Sequence, residues 1–235
     1  MTLDKPIVAA VIDIDAYARG ATPGSDWFAG RIEPAFDDAS ATVSALAPRG
    51  EGCVDALPTD ECVLLLSGRL EIESDSEPIV LGPRTAAALP LGSSFTWRAS
   101  EDALAIVYAA PAATVGSPVR PVLIDQDAPL TPSAAPLPEN LIGPTPSCRN
   151  HSDYLSSNRE FVCGVWDSTP YHRRQIPYRQ VELMHLLDGR VSFTAGDASV
   201  TFSAGDTCLF VRGEGCAWIS EEYVRKIYAT QRPVV

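Results

Sequence analysis

The chain has 235 residues, 46% of them hydrophobic and 20% charged, with a formal net charge of −12 at pH 7. That length allows one large or two small domains with a substantial core, and the acidic surplus argues against nucleic-acid or anionic-membrane surfaces, which need basic patches. No run of about 18 apolar residues indicates a membrane span, and the opening "MTLDKPIVAAVIDIDAYARG" lacks an apolar leader ending in a cleavage signal, so a cytoplasmic protein is expected.

In chain order the first signal is "PIVAAVIDID" from Pro6, a short β-rich run. Next come "ECVLLLSGRLEI" from Glu61, then Gly92 and Trp97, then "SEDALAIVYA" from Ser100. Residues 109–146 hold nine of the twenty prolines, a composition suited to an extended connector and edge strands. "PVRPVLIDQD" from Pro118 resembles the opening run, and from there the same series recurs. "ELMHLLDGRVSF" lays Glu182 over Glu61 and Gly189-Arg190 over Gly68-Arg69. The same offset brings Gly213 onto Gly92 and Trp218 onto Trp97. After a slip of one, "SEEYVRKIYA" from Ser220 lies over "SEDALAIVYA". The chain therefore reads as two copies of one domain, spanning residues 1–113 and 114–235.

Within each copy the period is two. "RVSFT", "SVTFS" and "TCLFVR" are short and β-rich, separated by Gly-Asp turns at 195–198 and 204–206. An all-β fold with closed or sandwiched antiparallel sheets is expected. The six cysteines are scattered, form no C-x-x-C pair and sit largely in apolar runs, which predicts reduced, structural thiols.

A Glu followed seven residues later by Gly, at Glu182 to Gly189 and Glu61 to Gly68, resembles the first motif of the cupin superfamily. Gly205, Val211, Gly213 and Cys216 echo its second motif. In copy one Pro90 and Gly92 survive, with Phe95 at the closing histidine position. Residues 164–229 resemble the branch that includes (S)-ureidoglycine aminohydrolase and the ethanolamine-utilisation cupin. The resemblance implies two tandem double-stranded β-helix barrels, a bicupin, and a homodimer.

Metal-binding cupins resemble H-x-H-x3–4-E with a further histidine in the second motif, two ligands two apart sharing one strand face. Here the first two histidine positions hold Gln175 and Pro177, or Ile176 and Tyr178, and the last holds Cys216. In copy one they hold Val54 and Ala56, or Asp55 and Leu57, with Phe95 last. Gln175, Glu182 and Cys216 make a poor set for a divalent cation. His185, three residues beyond Glu182, is expected on the opposite face, and His151 and His172 show no ligand spacing. No metal and no cofactor are expected.

On a regular strand Tyr178, Gln180, Glu182, Met184 and Leu186 share a face, which looks inward in the family barrel. Cys216 and Trp218 share a face that approaches the same cavity. Among apolar walls the Glu182 carboxyl would be raised by desolvation and suited to acid–base catalysis. Its alternative is a structural acceptor. Lys226, one of only two lysines, reads as an anchor for a substrate carboxylate, as a partner of Glu182, or as a surface charge. Arg173, Arg174 and Arg179 cluster just before the Glu182 strand, where a guanidinium fork recognises carboxylates or is simply solvated. Arg174 and Arg179 join Lys226 as expected ligand contacts.

The leading expectation is a metal-independent pocket in copy two that binds, and can transform, a small anionic metabolite. Two alternatives stand beside it: a manganese-dependent aminohydrolase resembling the ureidoglycine enzyme, and a catalytically silent bicupin that senses a metabolite or assembles with a partner.

Overall fold

A computed structural model of the chain describes residues 8–110 and 120–232. Four antiparallel-rich sheets form two barrels, each closed by one large and one small sheet. In the N-terminal barrel the large sheet runs Val122–Leu123, Thr85–Leu89, Asp60–Ser67, Leu104–Ala110, Thr42–Pro48 and Pro23–Gly24, with Phe36–Asp37 also on Thr42–Pro48. Its small sheet runs Gly50–Val54, Phe95–Ala99, Leu70–Glu73 and Ile79–Leu81. In the C-terminal barrel the large sheet runs Val11–Asp13, Thr207–Phe210, Val181–Asp188, Val224–Gln231, Phe161–Ser168, Cys148–Leu155 and Thr131–Ser133. Its small sheet runs Leu141–Ile142, Tyr171–Pro177, Gly215–Ser220, Arg190–Ala195 and Ala198–Ser203. The expected all-β pair of double-stranded β-helix barrels is what the chain adopts.

The two large sheets pack back to back. Val63 and Leu65 point into the N-terminal barrel, while Cys62 and Leu64 point away from it, into a shared cluster with Val181, Leu183, Phe161, Cys163 and Ile227. Both faces of these strands are therefore dry. This explains why "ECVLLL" and "VELMHLL" are nearly continuous apolar runs instead of alternating ones. Tyr108 crosses the joint, donating from its hydroxyl to the Val181 carbonyl at 3.1 Å and accepting from the Gln231 amide at 3.0 Å.

Short strands are also exchanged between the halves. Val11–Asp13 pairs with Thr207–Phe210, setting Val11 beside Phe210 and Asp13 beside Cys208. Val122–Leu123 pairs with Thr85–Leu89, setting Val122 beside Ala88. Asp13 also caps the helix Ile14–Ala18, accepting from the Ala16 amide at 2.9 Å. The expected boundary near residue 113 lies outside the described residues.

The interior of the N-terminal barrel is filled. Trp27 packs edge-on against Phe95, with ring centroids 5.2 Å apart, and donates to Glu61 Oε2 at 3.2 Å. Arg31 pairs with Glu61 Oε1 at 2.8 Å. The carboxylate that the repeat places in copy one thus serves to hold a plug.

Both motif glycines sit at φ +76°, in the left-handed region that side chains avoid. A Cβ on Gly189 would also collide with the Tyr223 carbonyl, whereas one on Gly196, at φ +59°, meets nothing within 4 Å. Gly189→Ala is expected to cost at least about 2 kcal/mol, and Gly196→Ala about 1 kcal/mol. Urea denaturation compares them, and equal costs would contradict the close-approach account of the Glu-to-Gly motif.

Candidate functional site

A cavity of about 430 Å³ opens between the two sheets of the C-terminal barrel. The large sheet contributes Glu182, Lys226, Tyr228, Trp166 and Asn150. The small sheet contributes Tyr171, Arg173 and Trp218, and the connection between them contributes Tyr178, Arg179 and Gln180. Below it, Met184, Leu186, Phe193, Phe210 and Cys216 form the barrel core.

Strand alternation delivers Glu182 to the cavity and Val181 and Leu183 to the joint. Lys226 is in register with Leu186, and its stem runs back so that Nζ lies 2.8 Å from Glu182 Oε1 and 3.1 Å from Met184 Sδ. The ammonium also lies 4.7 Å from the centre of the Trp166 ring and 5.3 Å from that of Trp218, a cation–π enclosure. Gln180 donates to the other carboxylate oxygen at 3.2 Å. Glu182 is 8% exposed and Lys226 5%. Burial pushes the Glu182 carboxyl up, but the charge and hydrogen bond of Lys226, with Gln180 and Arg232 behind them, hold it below the ordinary range. The desolvated, raised carboxyl expected from sequence is thereby corrected: a neighbouring ammonium outweighs the oily walls.

Arg173 is the anomaly. Its guanidinium lies 5.0 Å from the Tyr178 ring centre, and one Nη donates to the Cys216 carbonyl at 3.2 Å. Its Nε is buried with no partner, and no carboxylate pairs with it among the described residues. The ionisable groups that face it are Tyr178, Tyr171 and Cys216. Burial pushes both phenols up and raises the Cys216 thiol to about 11 against the pull of Arg173, so all three are neutral at pH 7. A guanidinium held among neutral groups lacks an anion.

Of the residues expected at the site, Glu182, Tyr178, Gln180, Trp218, Lys226 and Arg179 line the cavity. Cys216 does not: its side chain is buried in the core, where the thiol lies against Arg173, and its carbonyl accepts from the same guanidinium. Arg174 does not either, because it is exposed outside the cavity. The reason is a break in register between Arg173 and Ile176, which reverses the inward face and brings Arg173 in where an unbroken count brings Arg174. Trp166, Tyr228 and Asn150 escaped sequence reasoning. Trp166 stands directly opposite Lys226 in the pairing, a register that the sequence does not display. His185 faces away from Glu182 as expected; its Nδ1 is 2.9 Å from Thr207 Oγ1, and burial, helped by Arg84, lowers it to about 4.

The side chains at the ligand positions do not fit a divalent metal. Lys226 already sets a cation on Glu182, the Cys216 thiol stays protonated in the core, and Gln175 donates to the Gly215 carbonyl at 3.2 Å. Among the described residues no three His, Cys, Asp or Glu side chains gather as a ligand set. No helix among them is long and apolar enough to cross a membrane.

Residues 155–228 match the EutQ-like cupin domain, which spans most of the strands that build this cavity. A protein of unknown function from Pseudomonas syringae pv. tomato, of the DUF861 family, is 30% identical over 90% of this chain and 94% of its own, with a TM-score of 0.83. A cupin 2 conserved barrel domain protein from Leptotrichia buccalis shares the fold at 12% identity, covering 98% of this chain and 100% of its own, with a TM-score of 0.60. The protein Ylba from E. coli, also of DUF861, is 12% identical over 83% of this chain and 79% of its own, with a TM-score of 0.54. None of the curated proteins matches the chain. With nearly the whole length shared with the P. syringae protein at 30% identity and the cupin match covering most of the cavity strands, this chain belongs to the DUF861 family of cupin-fold proteins.

Proposed function

We propose that the C-terminal barrel is a metal-independent binding site for a small carboxylate. The observation that carries this reading is Arg173, whose guanidinium has a buried, unpartnered Nε and no counter-ion among the described residues. Among the described residues four cationic side chains, Arg173, Arg179, Lys226 and Arg232, line one cavity with a single carboxylate, Glu182, in a chain of net charge −12. That concentration of positive charge opposes the overall field and favours an anion. Glu182 stays ionised at neutral pH and holds Lys226 in place, which makes it a positioning residue instead of a proton donor. The Lys226 ammonium remains free to direct a further N–H toward a ligand oxygen.

Thermal-shift measurement tests this against small carboxylates and their neutral amide analogues. Carboxylates are expected to raise the melting temperature and the amides to leave it unchanged. In Arg173→Gln the carboxylate shift should vanish, with affinity falling about 10- to 100-fold for a lost charge-assisted contact of about 1.5–3 kcal/mol, while the ligand-free melt stays cooperative. Equal shifts with the amides, or an undiminished shift in Arg173→Gln, would sink the reading.

A further inference from the structure

We infer that the ligand carries two anionic ends, as a short aliphatic dicarboxylate does, and that it bridges the two walls of the barrel. This rests on the carboxylate reading above and adds the ligand's shape and charge.

The cations are divided between opposing surfaces. Arg173 belongs to the small sheet, in register with Trp218 and three pairs in from the Pro177–Gly215 end. Arg232 follows directly on Val224–Gln231 of the large sheet, close enough to act on the Glu182 carboxyl. Arg179 lies in the connection between the sheets, and both it and Arg232 are exposed, as the rim of an open cavity must be. The rim arginines form no ion pair with any described residue. Lys226 is balanced by Glu182, so the uncompensated charge is Arg173 on one wall, Arg232 at the rim of the other, and Arg179 in the connection between them. One carboxylate satisfies one wall only. A short aliphatic chain carrying a carboxylate at each end meets both.

The aromatic walls argue the same way. Tyr171 is stacked on Trp218 at 5.4 Å, Tyr178 on Phe210 at 4.3 Å, and Lys226 covers both Trp166 and Trp218. The protein itself already occupies a face of each ring. What the cavity still offers is hydrogen-bond donors, including the buried Ser133 hydroxyl, which lines it without a partner. A compact polar ligand with acceptors at both ends suits that inventory better than a flat aromatic acid.

Isothermal titration of the full chain with succinate, glutarate, butyrate and monomethyl succinate tests this. The dicarboxylates are expected to bind about tenfold more tightly than either monocarboxylate. Replacing both rim arginines by Gln should erase that preference while leaving butyrate affinity within about twofold. Equal affinity for mono- and dicarboxylates, still dependent on Arg173, would overturn the two-ended ligand and leave the carboxylate site standing. Binding of none of the four would overturn both. A preference that survives in the doubly substituted protein, itself checked by its thermal melt, would also overturn the bridging account.

Discussion

Lys226→Met is expected to destabilise the protein by about 3–5 kcal/mol at pH 7, the cost of stranding a buried carboxylate. Glu182 and Lys226 are both largely buried and meet at 2.8 Å, so solvent replaces the lost ammonium poorly. Methionine keeps the stem's volume against Trp166 and Trp218, which isolates the charge from the packing. The pH dependence has a definite sign. In the wild type the depressed Glu182 carboxyl contributes stability that is complete above its unfolded pKa, about 4.3, and is lost as pH falls through the lower folded value. In Lys226→Met the same carboxyl, buried without a partner, takes up a proton instead, and acid relieves it. The stability gap between the two proteins should therefore narrow as pH drops from 7 toward 4. Denaturant melts across that range measure it, and a gap that is small at pH 7 or independent of pH would contradict the ion-pair account. The double variant Lys226→Met with Glu182→Gln should recover much of the loss, because no charge is then left unpaired.

Residues 1–113 and 114–235 expressed separately are expected not to fold cooperatively. Each half would lose a strand to the other: the C-terminal barrel its Val11–Asp13 edge, the N-terminal barrel its Val122–Leu123 edge. More costly is the exposed joint. Phe161, Val181, Leu183 and Ile227 on one side, and Val43, Leu64, Ile106 and Tyr108 on the other, are buried only because the large sheets stack. Each such side chain contributes about 1.5–3 kcal/mol by burial, so the four on either half are worth about 6–12 kcal/mol, comparable to the whole 5–15 kcal/mol stability of an ordinary domain. Dye binding to exposed apolar surface and the absence of a sharp thermal transition would be the signature. A sharp transition in either isolated half would show the joint to be dispensable.

Much of this architecture is legible in the residues, and the illegible parts have physical causes. The repeat shows through Glu61 and Glu182 and through Gly68 and Gly189, because those glycines meet a backbone geometry other residues cannot follow. Strand parity places Glu182 inward and His185 outward from spacing alone. Parity fails at Arg174, since the bulge between Arg173 and Ile176 has no marker in "YHRRQIPYR". The exchanged strands are two and three residues long, too short to carry a period. The Trp27 and Arg31 plug depends on a segment without regular structure folding back onto Glu61 from 30 residues away or more. Pairing of Lys226 with Glu182 was one of three readings the sequence left open. Three-dimensional register decides it, because Lys226 is opposite Leu186 and must run past Met184 to find a partner.

What occupies the space beside Arg173 is the central question. A crystal structure of the chain grown with glutarate measures it most directly. A ligand carboxylate should lie within about 3 Å of the Arg173 Nε, with the Glu182–Lys226 pair intact beneath it. Glutarate bound elsewhere, with the Arg173 guanidinium turned out to solvent or paired to a protein carboxylate, would contradict the assignment.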